Sequence, residues 1–320
     1  MPPPNNFTST ETVAADAVGI ARAAALIRAG QPVAVPTETV YGLAADATDG
    51  AAVARIYAAK GRPAFNPLIV HVMDPAAAEE LAHLDSIARR LADAFWPGPL
   101  TLVVPARTGS LIAPLVTAGL KTIAIRCPAH PAMRALLAAC GQPLAAPSAN
   151  ASGTISPTTA GHVLASLGRR IPLVIDGGAT AVGLESTIIA VMPDRLRLLR
   201  PGPITADALA RATGLPITLG GGETIEAPGQ LASHYAPAKP LRLNATQAEE
   251  SEWLIGFGPV RGDDTLSSGG DPVEAATHLF AALHRADAAA AARIAIAPIP
   301  EDGLGVAIND RLRRAAAPRP

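Results

Sequence analysis

The sequence predicts an α/β fold in two domains, and three observations support this prediction. Short runs rich in β-branched residues alternate with alanine-rich runs of helical periodicity, which is the pattern of an α/β domain. The chain has 320 residues, whereas one hydrophobic core seldom serves more than about 250 to 300 residues. A Pro- and Gly-rich stretch with little periodicity, residues 214–240, separates a longer N-terminal part from a shorter C-terminal part.

The N-terminal part, residues 1–213, is expected to form the larger domain. Apolar, β-branched runs predict strands at Pro32–Pro36, Leu68–Val72, Leu100–Val104, Thr122–Cys127, Leu173–Asp176 and Ser186–Val191. Helical spacing predicts an alanine-rich amphipathic helix around Arg22 and Arg28, and further helices at Ala51–Lys60, Ala76–Ala94 and Pro131–Cys140. The helix ending at Lys60 has a defined stop, because Gly61 favours a left-handed cap and Pro63 cannot continue a helix.

The C-terminal part, residues 241–320, repeats this alternation on a smaller scale. It contains predicted strands at Leu241–Leu243, Trp253–Phe257 and Arg293–Ile299, with helices near Pro272–Arg285 and Val306–Ala316. Trp253, Phe257 and Phe280 are interpreted as core residues rather than as a ligand platform. A smaller α/β domain without an obvious site is therefore predicted.

Composition restricts the classes of function. Lys and Arg total 26 against 27 for Asp and Glu, so the chain lacks the overall basic charge of a dedicated DNA-binding protein. The longest uncharged stretch, Ala135–Gly168, is broken by Gly and Pro, and no secretory signal opens the chain, so we expect a cytoplasmic protein without a membrane span. Cys127 and Cys140 cannot form a four-ligand zinc site, and we expect two buried apolar residues and no built-in metal.

Polar residues follow several of the predicted elements, where sites in α/β folds commonly lie. Thr37 and Thr39 follow the first strand, although either could simply cap a helix that comes next. Lys60 and Arg62 follow a helix end, where they could complement the helix dipole or bind a polyphosphate. Asn66 belongs to the same segment.

Strand alternation sorts the residues around Arg126 clearly. Thr122, Ala124 and Arg126 share one face of the predicted strand, and the small Ala124 leaves room between the two polar side chains. A surface strand would show the same pattern, so both readings stay open at this point. His71 likewise points away from the face of its apolar neighbours, either into a site or into a satisfied core contact.

Seven segments, in order, resemble the YrdC-type domain of the threonylcarbamoyl-AMP synthase family: PTETVYGL, KGRPAFNPLIVH, FWPGPLTLV, TIAIRCP, APSANASG, STII and LRPG. The segment SHYAP and the small domain after it resemble the two-domain form of that family. The resemblance implies a twisted mixed sheet with flanking helices and a large basic cleft, followed by a linker and a small Rossmann-like domain.

The resemblance also implies a nucleotidyltransferase reaction. L-Threonine, bicarbonate or CO2, and ATP would give L-threonylcarbamoyl-AMP, pyrophosphate and water, with Mg²⁺ brought by the nucleotide. A downstream tRNA threonylcarbamoyl transferase complex would then modify the adenosine beside the anticodon of tRNA, and a weak contact with tRNA itself is left open.

By motif position, the resemblance implies two sets of binding residues. L-Threonine would contact Thr39, His71, Arg126, the backbone of Ala146, and Ser186. ATP would contact Lys60, Arg62, Asn66, Thr122, Ser148, Ser156, Arg200 and Tyr235, with Lys60 and Arg62 as the catalytic groups at the phosphates. Thr37 is the alternative to Thr39, and Thr187 is the alternative to Ser186.

The residue chemistry fits this reaction. A carboxylated threonine must approach an anionic nucleotide, and a cleft with several Lys and Arg side chains would offset the repulsion without an enzyme nucleophile. Tyr235 in the Pro- and Gly-rich linker suggests a lid that keeps water from the reactive intermediates.

Two other functions fit parts of this sequence pattern. Hydrogenase maturation proteins contain a similar domain, but their zinc fingers need more than two cysteines. A non-catalytic double-stranded RNA-binding module is the remaining alternative, and its affinity would fall steeply with salt.

Overall fold

The computed structural model describes residues 7–220 and 226–318 and divides them between a large and a small sheet with flanking helices. Eleven strands in these ranges form the large sheet: β1 Glu11–Ala14, β2 Val33–Pro36, β3 Tyr41–Asp46, β4 Ile69–His71, β5 Leu100–Pro105, β6 Thr122–Arg126, β7 Leu144–Ala145, β8 Leu173–Asp176, β9 Thr187–Val191, β10 Leu196–Arg200 and β11 Ile217–Leu219. Their helices are α1 Ala17–Arg28, α2 Gly50–Lys60, α3 Pro75–Leu81, α4 Ser86–Phe95, α5 Pro114–Thr117, α6 Pro131–Cys140, α7 Ala160–Leu167 and α8 Ala206–Thr213.

The large sheet is mixed, in agreement with the predicted fold class. Its strand order is β1-β8-β2-β3-β7-β4-β6-β5-β9-β10-β11. Neighbours such as β4 and β6 run parallel, whereas β2 with β3 and β5 with β6 run antiparallel. This order brings the ends of β2, β4, β6 and β10 close enough in the sheet for distant motifs to share one site.

Strand β6 shows how alternation distributes side chains between two faces. Ile123, Ile125 and Cys127 pack into the main core, as predicted. Ala124 packs on the opposite face, in a cluster that includes the linker residue Ala227. The linker therefore covers the face that carries Arg126.

One strand of this domain was not predicted, and two local predictions are wrong. Tyr41–Asp46, absent from the predicted strands, is strand β3, stabilised by antiparallel pairing with β2 and β7. The single helix expected over Ala76–Ala94 is two helices, because the Asp85 side chain accepts hydrogen bonds from the amides of Ile87 and Ala88 and begins α4 there. Cys140 is only half-buried, since it lies in the last turn of α6; Cys127 is buried.

The C-terminal strands β12 Leu241–Arg242, β13 Glu252–Gly256, β14 Asp264–Thr265 and β15 Arg293–Ile296 form a separate parallel sheet in the order β12-β15-β13-β14. Helices α9 Pro272–Ala288 and α10 Gly305–Ala316 complete a second, smaller α/β domain. Its core includes Phe257 and Phe280, with Trp253 packed against it, as predicted. Strand β11 lies inside the segment expected to be linker, so the chain leaves the large sheet only after Leu219.

The two domains share a hydrophobic cluster. Val40, Ile155 and Leu184 of the large domain pack with residues of α9 and α10. The rings of His162 and His284 stack across the same contact with centroids 3.9 Å apart. None of the described helices is long and apolar enough to cross a membrane.

Candidate functional site

One cavity gathers polar residues from the ends of β2, β4, β6, β9 and β10 and from the linker. The space open to a water-sized sphere is about 40 Å³, whereas small-molecule sites usually measure about 300 to 1,000 Å³. The cavity is therefore narrow in this structure. Its lining is Thr37, Thr39, Val40, Gly42, Arg62, Ile69, His71, Arg126, Ala146, Pro147, Ser148, Glu185, Ser186, Arg200, Pro228, His234 and Tyr235.

Arg126 is buried at the end of β6, and all three of its guanidinium nitrogens donate hydrogen bonds. Nε donates to the carbonyl oxygen of Gly98 at 3.1 Å, Nη1 to Thr39 Oγ1 at 2.9 Å, and Nη2 to Glu38 Oε1 at 2.6 Å. Burial favours a higher pKa for Glu38, but the Arg126 charge and hydrogen bonds outweigh it and lower the pKa. The guanidinium is thus fixed in direction and paired with a carboxylate.

The turn before β3 orients Thr39 toward Arg126. The Thr37 hydroxyl lies 2.7 Å from the Thr39 hydroxyl, donates to the carbonyl oxygen of Val40, and accepts from the amides of Thr39 and Val40. Thr37 closes this turn and no helix follows, so the idea that Thr37 or Thr39 caps a helix is wrong. Both hydroxyls line the cavity.

His71 lies beside Arg126 because β4 pairs in parallel with β6 in that register. Its Nδ1 is buried without a hydrogen-bond partner among the described residues. Burial, with help from the Arg126 charge, lowers the pKa of His71 to about 3. The imidazole is therefore neutral at physiological pH and contributes a polar, uncharged edge to the cavity.

Arg62 and Asn66 form a compact unit after α2. Arg62 Nη2 donates to Asn66 Oδ1 at 2.6 Å and to the carbonyl oxygen of Pro67 at 2.7 Å. Burial lowers the pKa of Arg62 to about 10, which still leaves the group charged near neutrality. Arg62 lines the cavity and Asn66 lies behind it, with a buried Nδ2 that has no partner among the described residues.

Lys60 lies outside the cavity lining and binds the loop that follows β7. Its Nζ donates to the carbonyl oxygens of Ser148, at 2.6 Å, and Asn150. The Ser148 hydroxyl, which lines the cavity, donates to Asn150 Oδ1. Burial and the nearby Arg62 charge lower the pKa of Lys60 well below its usual range. Gly61, with φ of 61°, ends α2 directly after Lys60, as predicted.

Arg200 and Ser186 meet where β9 begins and β10 ends. Arg200 donates from Nε to the Ser186 carbonyl and from Nη2 to Ser186 Oγ, both at 3.0 Å. Ser186 lines the cavity, whereas the Thr187 hydroxyl donates a hydrogen bond to the carbonyl oxygen of Ile204. The Ser156 hydroxyl lies outside the lining and donates to Glu185, a buried carboxylate that faces the cavity.

Thr122, like Lys60, Asn66 and Ser156, is a predicted site residue outside the cavity lining. It begins β6, is half-buried, and is absent from the cavity lining. It shares the face of Arg126, but Ala124 and the linker residue Ala227 pack together on that face. Ala146, by contrast, lines the cavity beside Ser148.

The linker supplies one wall of the cavity. Tyr235 is buried with φ of 63°, its ring stacks on His234 with centroids 4.1 Å apart, and its hydroxyl has no hydrogen-bond partner among the described residues. The next residue, Ala236, anchors the segment by an amide hydrogen bond to the carbonyl oxygen of Gly153. Pro228 and His234 complete this wall.

Sequence reasoning missed four charged or polar residues around the cavity: Glu38, Glu185, His234 and Arg311. Glu38 and His234 stand inside quoted motifs, so their proximity to the site could have been inferred from their neighbours. Arg311 lies on α10 of the C-terminal domain and pairs with Glu185, and no local signal marks it. In the two described ranges, no group of three His, Cys, Asp or Glu residues could hold a metal ion.

Comparisons with known proteins identify similar chains over almost the whole sequence. The family described as "Telomere recombination" matches residues 25–202, and the threonylcarbamoyl-AMP synthase C-terminal domain matches residues 204–317. The threonylcarbamoyl-AMP synthase of Bacillus subtilis is 41% identical over 94% of this chain and 93% of its own, and that of Pyrococcus abyssi is 40% identical over 93% and 94%. The crystal structure of P. abyssi Sua5 complexed with L-threonine is similar with a TM-score of 0.85 at 39% identity, covering 93% of this chain and 94% of that one.

Proposed function

The chain belongs to the threonylcarbamoyl-AMP synthase family, and from that premise we propose that it makes L-threonylcarbamoyl-AMP from L-threonine, bicarbonate or CO2, and ATP. The observation that carries the proposal is the placement of three buried guanidinium groups, those of Arg62, Arg126 and Arg200, around one cavity. Buried, fixed cations of this kind suit a reaction that brings several anions together.

The proposed threonine subsite consists of Thr39, His71, Arg126, Ala146 and Ser186. The carboxylate of threonine would pair with Arg126, whose orientation is already fixed by Gly98, Thr39 and Glu38. Neutral His71 adds no charge that would compete for that carboxylate. The relative that was solved with L-threonine supports a threonine site in this family.

The proposed ATP subsite consists of Lys60, Arg62, Asn66, Thr122, Ser148, Ser156, Arg200 and Tyr235, with the nucleotide carrying its own Mg²⁺. ATP does not fit a space of about 40 Å³, so the proposal requires the cavity to widen, and the linker, which forms one wall, is the segment that we expect to move. In this structure Lys60 is held by backbone carbonyls and lies outside the cavity lining. A direct contact between Lys60 and a phosphate therefore requires the loop of Ser148 to move.

In the proposed reaction the amine nitrogen of threonine bonds to the carbon of bicarbonate, and water leaves. A carbamate oxygen then bonds to the α-phosphorus of ATP, and the bond from that phosphorus to the bridging oxygen of pyrophosphate breaks. No side chain forms a covalent bond in this sequence. Arg62 and Arg200 would hold the phosphate charge, Arg126 would hold the threonine carboxylate, and the closed linker would exclude water.

We further propose that the product passes to a tRNA threonylcarbamoyl transferase complex in the cytoplasm. A mixed anhydride of a carbamate and AMP is an activated acyl donor, which is the chemical form such a transferase needs. A weak direct contact with tRNA belongs to the same proposal.

The test is to incubate the protein with α-labelled ATP, Mg²⁺, bicarbonate and each amino acid in turn, and to separate adenylates from AMP. We expect an adenylate with L-threonine that decreases about 10²- to 10³-fold in Arg62→Ala and Arg126→Ala, the usual effect of removing one transition-state donor. Arg89→Ala is the control, because Arg89 is an exposed arginine that pairs with Glu79 on the surface. Absence of adenylate with every amino acid, together with salt-sensitive RNA binding, would favour the RNA-binding module instead.

A further inference from the structure

The C-terminal domain places one arginine directly behind the wall of the candidate site. Arg311, on α10, has no exposed surface, and its Nε donates to Glu185 Oε2 at 2.8 Å. Its guanidinium carbon lies 5.2 Å from the centre of the Tyr235 ring. Arg311 therefore contacts two residues that line the cavity, one from the large domain and one from the linker.

Glu185 presents an electrostatic difficulty for a nucleotide site. It is a buried carboxylate in the wall of a cavity that would receive phosphates, and two anions in a desolvated site repel each other strongly. Burial favours a higher pKa for Glu185, but the charges of Arg311 and Arg200 outweigh it and lower the pKa, so Glu185 stays ionised. Arg200 directs its hydrogen bonds to Ser186, which leaves Arg311 as the hydrogen-bonded counter-ion.

The same turn of α10 also binds the linker. Asp310 Oδ2 pairs with Arg311 Nη1 at 2.7 Å, and Asp310 Oδ1 pairs with Arg314 Nε at 3.1 Å. Arg314 Nη1 donates to the carbonyl oxygen of Leu231 at 2.6 Å. A continuous set of charged contacts thus runs from the cavity wall through α10 to the linker.

We propose that Arg311 is a positioning residue of the nucleotide site, contributed by the C-terminal domain. Arg311 neutralises Glu185, so Glu185 accepts the hydrogen bond from the Ser156 hydroxyl without repelling the phosphates. The Arg311 guanidinium also packs against the Tyr235 ring. This inference rests on the proposed function, since it assumes that the cavity receives ATP. It assigns the C-terminal domain a part in nucleotide binding that acts through Glu185 and Tyr235.

The test compares Arg311→Met, Glu185→Gln and the double variant with wild type, and measures kcat and the separate KM values for ATP and L-threonine. Arg311→Met leaves Glu185 unpaired, so we expect the KM for ATP to rise about tenfold or more while the KM for threonine changes little. The double variant removes both charges and should recover most of that loss. Arg313→Gln is the control, because Arg313 lies on the same helix, is exposed, and pairs with exposed Glu301.

The outcomes separate the two proposals. A wild-type protein that makes no threonylcarbamoyl-AMP would overturn the proposed function itself. An active wild type whose double variant is as impaired as Arg311→Met, with equal melting temperatures, would overturn only the charge-compensation role. If Arg311→Met does not fold, Arg311→Lys replaces it. An ammonium keeps the charge but cannot reproduce the two fixed donor directions to Glu185 and Asp310, so the KM for ATP should still rise while the KM for threonine changes little. Equal losses for ATP and threonine would contradict the inference.

Discussion

Replacing Gly229 by Ala tests whether the linker must close over the cavity during turnover. Gly229 has φ of 85°, a conformation that costs an L-residue about 1 to 2 kcal/mol. A Cβ atom there would lie 2.8 Å from Arg200 Cδ and 2.8 Å from the Tyr235 hydroxyl oxygen. This overpacking adds about 1 to 3 kcal/mol against the closed linker, which corresponds to about a 5- to 150-fold shift toward the open form.

Gly214→Ala is the matched control for this substitution. Gly214 ends α8 with φ of 72°, but no atom lies within 4 Å of its added Cβ, so it carries the backbone cost without the contact at the cavity. The assay is the ratio of pyrophosphate released to threonylcarbamoyl-AMP formed, with the melting temperature of each variant measured alongside. We expect the ratio to rise at least about fivefold in Gly229→Ala alone, because an open site admits water to the intermediates. Equal ratios in both variants and wild type would refute closure by this segment.

Three further predictions follow from the geometry. Arg126→Lys should raise the KM for threonine about tenfold or more, because an ammonium cannot reproduce three fixed donor directions. Titration calorimetry would measure the affinity for L-threonine, and an affinity equal to that of wild type would contradict this prediction. The unfolding free energy should fall as the pH drops from 6.5 toward 3, and His71 should contribute at most about 1.4 kcal/mol per pH unit. In this range His71 is protonated in the unfolded state but stays neutral in the folded state, where its pKa is about 3. His71→Gln should weaken the dependence of the unfolding free energy on pH, measured by urea unfolding at several pH values. An unchanged dependence on pH would exclude His71 as its source. Phe280→Ala should cost about 3 to 5 kcal/mol of unfolding free energy, since the ring is fully buried in the small domain, and a loss below about 1 kcal/mol would show that the core collapses around the gap.

Elements defined by local patterns could be predicted from the sequence. The alternation in Thr122–Arg126 correctly assigned the two faces of β6, and Gly61 correctly marked the end of α2. Strand β3 could not be predicted in this way, because Tyr41–Asp46 lacks β-branched residues and becomes a strand through pairing with both neighbours. The break between α3 and α4 depends on hydrogen bonds that the Asp85 side chain accepts. The helical pattern of the sequence is nearly continuous across Asp85, so it does not reveal this break.

The candidate site was predictable where its residues stand in compact motifs. Arg62, His71, Arg126 and Ser186 were named from such motifs, and the sheet brings all four to one cavity. Contacts between distant elements were not predictable. Glu185 and Arg311 are 126 positions apart, and the sequence around Arg311 resembles an ordinary surface helix of mixed charge, so only the fold shows that they pair.

The proposed reaction can be observed directly by following the carbon of bicarbonate. The protein would be incubated with ¹³C-bicarbonate, L-threonine, ATP and Mg²⁺, and the products recorded by carbon NMR. We predict a new carbonyl signal, split by the phosphorus of AMP, that requires all three substrates and is absent in Arg126→Ala. Pyrophosphate release without any ¹³C-labelled adenylate, under conditions in which L-threonine binds, would contradict the assignment of this cavity as the site of threonylcarbamoyl-AMP synthesis.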